Sequence, residues 1–256
     1  MGIDNNIKNY IDFLQSKMAI SHQSGFDIRR DELSPNLYDH VKDSIIWMIK
    51  GGCRAIFSSF GMQKTVTQLE TIRVILLHKG GKGLIICPKR VVNEFLEQSV
   101  RHLNITTVYV RTMDEVLQCK EDIMLTNYER VRDGDIDPSY FIATSLDEAS
   151  VLRGFGTKTY QTFLPKFKNV PYRFVATATP APNRFKEMIH YAGYLEIMDT
   201  GQALTRFFKE ILQRRIILLC IRIKNRNFGY GYLHGVYSLQ SRPILDILMM
   251  GTNCQN

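Results

Sequence analysis

Between residues 53 and 177, six short apolar runs recur, each closed by a polar, glycine or proline turn. They cover residues 53–57, 84–87, 106–110, 122–126, 140–143 and 172–175. A short apolar run that ends in a polar turn reads as a buried parallel strand, delivering side chains to its carboxyl edge. Helical spacing lies between the runs: Leu37, Val41, Ile45 and Met48 over residues 37–50, then Leu69, Ile72 and Leu76 over 65–78, then a helix over 91–102. Gly51-Gly52 stops the first helix, and Gly80-Gly81-Lys82-Gly83 turns the chain into the second strand, which Pro88 ends. Strand and helix in alternation predict an α/β fold, a doubly wound and mostly parallel sheet.

The flanks differ from this rhythm. Residues 1–32 are polar, with Ile7, Tyr10, Ile11 and Leu14 at amphipathic spacing, so a peripheral helical extension is expected before the boundary at Leu33-Ser34-Pro35. Residues 33–208 form the expected lobe, and residues 209–256 a tail with no rhythm of strand and helix. A hydrophobic content of 45% permits a full core. The longest apolar stretch of the tail, from Ile216 to Ile221, is far short of a membrane span. The start of the chain lacks the basic and apolar regions of a signal peptide. Five cysteines, scattered and without a C-x-x-C pair, favour neither a zinc site nor a disulfide framework, and a reducing cytoplasm is the simplest setting. The net charge of +8 invites a nucleic-acid partner. Half of that excess sits in residues 210–256, which hold six Lys/Arg against two Asp/Glu, so the lobe itself is only modestly basic.

Two segments carry chemistry. Ser145-Leu146-Asp147-Glu148-Ala149-Ser150 follows one apolar run, and Ala176-Thr177-Ala178-Thr179-Pro180 follows another. The carboxyl edge of an open α/β sheet is where such folds bind ligands. Adjacent carboxylates there suit a magnesium–nucleotide site, one organising the water shell of the metal and the other orienting an attacking water. Upstream, residues 58–63 leave strand 53–57 and lead to Lys64-Thr65 at the start of a helix. This is the context in which backbone N–H groups cradle phosphates. Each segment has a plainer reading: a helix N-terminus for the acids, a strand exit for the threonines, a surface loop for residues 58–63. A second glycine-bearing string, Gly154 to Thr159, follows the acidic segment instead of a strand and is rejected as the phosphate cradle.

Taken together and in this order, the segments resemble the first lobe of a superfamily 2 helicase or Swi/Snf-type DNA translocase. Residues 35–208 are most similar to phage- or mobile-element-associated DEAD/DEAH-box helicases of bacteria, most of all at residues 147–156 and at Phe207-Phe208. The resemblance implies a RecA-like P-loop NTPase lobe with ATP and Mg2+ as cofactors and DNA as partner. It implies nucleotide binding by Gly61, Met62, Gln63, Lys64 and Thr65, with Thr65 and Asp147 toward the metal. Glu148 would act on the water, and Thr177 and Thr179 would couple nucleotide to nucleic acid. Cys87-Pro88-Lys89-Arg90 and Leu125-Thr126-Asn127 resemble segments on the nucleic-acid side, which implicates Lys89, Arg90, Thr126 and Asn127 in phosphate contacts. Arg153 and Lys158 fall where such lobes run near bound nucleic acid; a solvated basic loop is the alternative. Two departures stand out. Gln63 replaces the glycine expected before the lysine, and residues 37–41 lack the glutamine that recognises adenine, so base specificity does not carry over.

The tail departs further. Read one base out of step, its codons permit the family's charged and Trp-rich continuation, and Met249-Met250-Gly251 then forces Asp-Gly. The expectation is a frameshift near Lys209, an unpacked tail, and a motor without its second lobe, feeble in hydrolysis by itself. Rival readings are a non-catalytic nucleic-acid-binding module and an inactive decayed product.

Overall fold

A computed structural model describes residues 23–152, 157–180 and 188–201. The expectations for residues 1–22, for Arg153, for the end of the lobe over 202–208 and for the tail over 209–256 lie outside the described residues.

Six strands and seven α-helices make up the described part. In chain order they are α1 (Asp39–Gly51), β1 (Cys53–Phe57), α2 (Lys64–Lys79), β2 (Gly83–Ile86), α3 (Val92–Leu103), β3 (Thr107–Tyr109), α4 (Met113–Gln118), β4 (Ile123–Thr126), α5 (Tyr128–Asp133), β5 (Ala143–Asp147), α6 (Lys158–Phe167), β6 (Tyr172–Thr177) and α7 (Met188–Tyr194). All strands run parallel in the order β1-β6-β5-β2-β4-β3. The α/β expectation holds, with helices on both faces.

Alternation along the strands builds two cores. Ile85, Leu125 and Phe174 point to one face, where α1, α2 and α3 bring Ile45, Met48, Leu69, Ile72 and Phe95. Leu84, Ile86, Met124 and Val175 point to the other, beneath Val131, Phe163, Phe167 and Tyr191. Strands buried on both faces show no polar alternation, which is why their sequences read as runs. The helix α2 lies close to the sheet at one glycine: a Cβ on Gly83 would stand 2.2 Å from Ile72 Cγ2.

One difference from the expected elements has a local cause. Residues 140–142 precede β5 instead of forming it. Asp137 caps a 3-10 turn over Pro138–Tyr140 by accepting from Ser139 N, so the strand starts at Ala143 and runs through the polar Thr144 and Ser145 to Asp147. On either side of the expected boundary, Ser24 and Ser34 are both hydrogen-bonded to the helices of the lobe. Ser24 N donates to Gly51 O, and Ser34 N donates to the buried Glu70 carboxylate at 2.7 Å. Glu70 is in turn paired with Arg73, 2.6 Å away. Among the described residues, no helix is long and apolar enough to cross a membrane.

Candidate nucleotide site

The strand order decides what meets at the carboxyl edge. Because β6 and β5 lie beside β1, Phe57 pairs with Thr177 and Ala176 pairs with Asp147. Three chain segments remote in sequence thus leave the sheet side by side. Between them opens a cleft of about 320 Å³, lined by Phe60, Gly61, Gln63, Lys64, Thr65, Arg90, Glu94, His102, Asp147 and Glu148 among others. Larger clefts of about 600 and 560 Å³ lie elsewhere, but neither includes residues 58–65 or the acidic pair.

The loop side is held open by backbone conformation. Gly61 has φ 81°, and Gln63, capping α2, has φ 55° and ψ 36°. The residue before the lysine is therefore left-handed, which is the reason glycine is favoured there. Gln63 adopts the conformation regardless, at a cost of about 1–2 kcal/mol. Its side-chain oxygen is buried without a partner, as is Ser58 Oγ. Lys64 Nζ donates to the carbonyls of Ser58 and Ser59, both at 3.0 Å, and lies over the exposed Phe60 ring. Thr65 Oγ1 donates to Glu94 Oε1 at 3.2 Å.

On the acidic side, Asp147 Oδ1 accepts from Gln68 Nε2 at 2.8 Å, and its carbonyl accepts from the Tyr128 hydroxyl at 2.6 Å. Burial pushes the Asp147 carboxyl up to about 6, and the charges of Glu148 and Glu94 add to the rise; the Gln68 bond and Lys64 oppose it. Glu148 is left-handed, with φ 49°. Its Oε1 accepts from Thr177 Oγ1 and from Thr179 Oγ1, each at 3.2 Å. Adjacent carboxylates thus sit in unlike settings, Asp147 clamped by an amide and Glu148 by two hydroxyls.

The arrangement fits a magnesium–nucleotide. An ammonium resting on loop carbonyls can be transferred to phosphate oxygens, and the unpartnered Ser58 hydroxyl can donate to one, whereas the unpartnered Gln63 amide oxygen, an acceptor only, cannot. Among the described residues no three His, Cys, Asp or Glu side chains converge on one point. A magnesium ion would rest on Thr65, Asp147 and the oxygens of its own nucleotide, as that metal ordinarily does.

The other sequence-derived candidates divide. Lys89, Arg90 and Lys158 are exposed, and Arg90 lines the cleft itself. Thr126 and Asn127 are buried: the Thr126 hydroxyl donates to Val110 O, and neither amide atom of Asn127 has a partner. Sequence reasoning missed Glu94, Gln68 and the Tyr128 hydroxyl. Glu94 is an ordinary exposed helical acid with no signal of its own. Gln68 had none either, because the burial of Val66 to Ile72, a stretch in which Thr67, Glu70 and Thr71 are polar too, is seen only in the structure.

No protein-family model matches the chain, and no curated protein is similar to it in sequence. Solved structures are similar in fold. The UvsW helicase from bacteriophage T4 matches with a TM-score of 0.54 and 14% identity, over 75% of this chain and 76% of that one. The Sulfolobus solfataricus SWI2/SNF2 ATPase core in complex with dsDNA matches at 0.53 and 17%, over 68% of this chain but only 38% of the other. The chain therefore spans well under half of the SWI2/SNF2 core. Its fold is that of a RecA-like α/β lobe, similar to lobes in these two solved structures.

Proposed function

We propose that this lobe binds magnesium–ATP in the cleft between the loop over residues 58–63 and the Asp147-Glu148 pair, as the nucleotide half of a DNA-dependent motor. The observation that carries the reading is the register of β1, β6 and β5, which brings Lys64, Thr177 and Asp147 to one edge with Glu148 held by two threonines. Lys64 would exchange the Ser58 and Ser59 carbonyls for phosphate oxygens, and the free N–H groups at the start of α2 would meet the same charge. Bound magnesium would supply charge neutralisation across the phosphates, held by Thr65 and Asp147. Glu148 would orient a water and accept its proton as the new P–O bond forms and the bridging P–O bond of the nucleotide breaks. Of the lysine and arginine side chains among the described residues, only Lys64 and Arg90 line the cleft. Without further donors the charge of the transferred group is poorly compensated, so slow turnover by this chain alone follows.

The DNA part of the reading rests on the fold likeness, on one relative being a helicase and another being in complex with dsDNA. On this chain, contacts to phosphate would fall to the exposed Lys89, Arg90 and Lys158. Thr126 and Asn127 would join them only if their turn opened.

A second reading is a nucleic-acid-binding module without nucleotide chemistry. It is favoured by Glu94, which occupies the Thr65 hydroxyl and brings a third carboxylate to the cleft. Titration of a fluorescent ATP analogue, with magnesium and with EDTA, separates the two. Magnesium-enhanced binding lost in Lys64→Ala supports the first; DNA binding without any nucleotide binding supports the second.

A further inference from the structure

Gln68 is a fully buried polar side chain on α2, one turn beyond Lys64. Its amide nitrogen donates to Asp147 Oδ1 at 2.8 Å, and its amide oxygen accepts from Ser145 Oγ at 2.7 Å. Ser145 and Asp147 are two residues apart on β5, so both side chains emerge on the face that α2 covers. A planar amide fixed at both ends cannot turn over. An ionised carboxylate only accepts, so the nitrogen must face Asp147, and the serine hydroxyl completes the opposite end. Leucine would fill the same space without a desolvation cost, so packing alone gives no reason for an amide there.

We propose that Gln68, oriented by Ser145, is the positioning residue for Asp147. It engages Oδ1 so that Oδ2 is the oxygen offered to the magnesium–phosphate group at the start of α2. Because Lys64, Thr65 and Gln68 share one helix, this single amide also sets the spacing between the phosphate loop and the acidic edge. Tyr128 fixes the main chain of the same residue through its carbonyl, which leaves the carboxylate rotamer to Gln68. The inference rests on the nucleotide reading of the cleft.

The test uses the full 256-residue chain and the ratio of nucleotide affinity in magnesium to that in EDTA, read with the fluorescent ATP analogue. Gln68→Met, of similar volume but without hydrogen bonds, should lower that ratio about tenfold while the EDTA affinity stays within about twofold. Ser145→Ala should lower it about threefold, and the double variant should match Gln68→Met alone, since the serine acts only through the amide. Should Gln68→Met fail to fold, Ser145→Ala carries the test, and an unchanged ratio there overturns the proposal. Equal losses in magnesium and EDTA, or additive effects in the double variant, would mean a merely structural amide. An unchanged ratio in Gln68→Met sinks this inference and leaves the nucleotide site standing. A wild-type chain whose affinity is indifferent to magnesium sinks both.

Discussion

Two left-handed residues face each other across the cleft, and they are held in different ways. Glu148, at φ 49°, has its carboxylate oxygen taken by two threonine hydroxyls. Gln63, at φ 55°, has a buried side-chain oxygen with no partner, and only its carbonyl is engaged, by Thr67 N and Oγ1 at 2.9 Å. Strain in a protein persists where the surroundings over-determine it. At Glu148 those surroundings are side chains aimed at the strained residue; at Gln63 they are the helix that follows. The acidic side is therefore a preorganised constellation, while the loop over residues 58–63 is a backbone geometry occupied by a residue poorly suited to it.

Removing the charge on the loop side has the largest expected effect. Lys64→Ala should weaken magnesium–nucleotide binding at least a hundredfold, about 2.7 kcal/mol, by calorimetric titration. An affinity within twofold of wild type would show that the loop does not hold phosphate, whatever its conformation.

On the acidic side the largest effect is on stability. The Asp147 carboxyl titrates near 6 in the folded chain against an ordinary value of 3.8. Between those two values the folded state retains a proton that the unfolded state has released. Stability from this group is therefore highest below about pH 4 and declines as pH rises toward 6. Urea unfolding from pH 4.5 to 7 should show a loss of about 2 kcal/mol in the wild type that Asp147→Asn removes. A slope that survives the substitution would place its origin elsewhere.

The threonine clamp predicts a smaller effect of a different kind. Thr177→Val or Thr179→Val should each cost about 1 kcal/mol at Glu148 and lower kcat, leaving nucleotide affinity near wild type. Equal losses in affinity and turnover would put the threonines in ground-state binding instead.

Gln63→Gly gives the smallest change. Relief of the left-handed strain should raise stability by about 1 kcal/mol, observed as a higher melting temperature. A decrease would mean that the glutamine side chain stabilises the loop and that the two sides of the cleft are more alike than their hydrogen bonds suggest.

Much of the fold was legible in the residues. The apolar runs at 53–57 and 172–175, and the helical spacing over 37–50 and 65–78, correspond to β1, β6, α1 and α2 within a few residues. Patterning of this kind reflects burial, which acts on each element locally. The strand at 140–143 was misplaced because β5 carries its buried polar residues, Thr144 and Ser145, inside the strand, where an apolar count gives them no weight. Helices α4 and α5, of six residues each, were too short to show periodicity.

The candidate site divides along the same line. Sequence by itself placed Lys64, Thr65, Asp147, Glu148, Thr177 and Thr179 at the ends of strands or starts of helices, because turn chemistry and strand exits are written in neighbouring residues. It also exposed the odd residue, Gln63, at a position where backbone geometry favours glycine. The placing of β6 and β5 beside β1 came from packing, since a sheet pairs strands by three-dimensional fit and right-handed crossovers, not by order in the chain. That neighbourhood turned two threonines into partners of Glu148. It joined Gln68 to a carboxylate 79 residues away, brought Glu94 to Thr65, and buried Thr126 and Asn127. Each of these depends on distance through space, which no local pattern encodes.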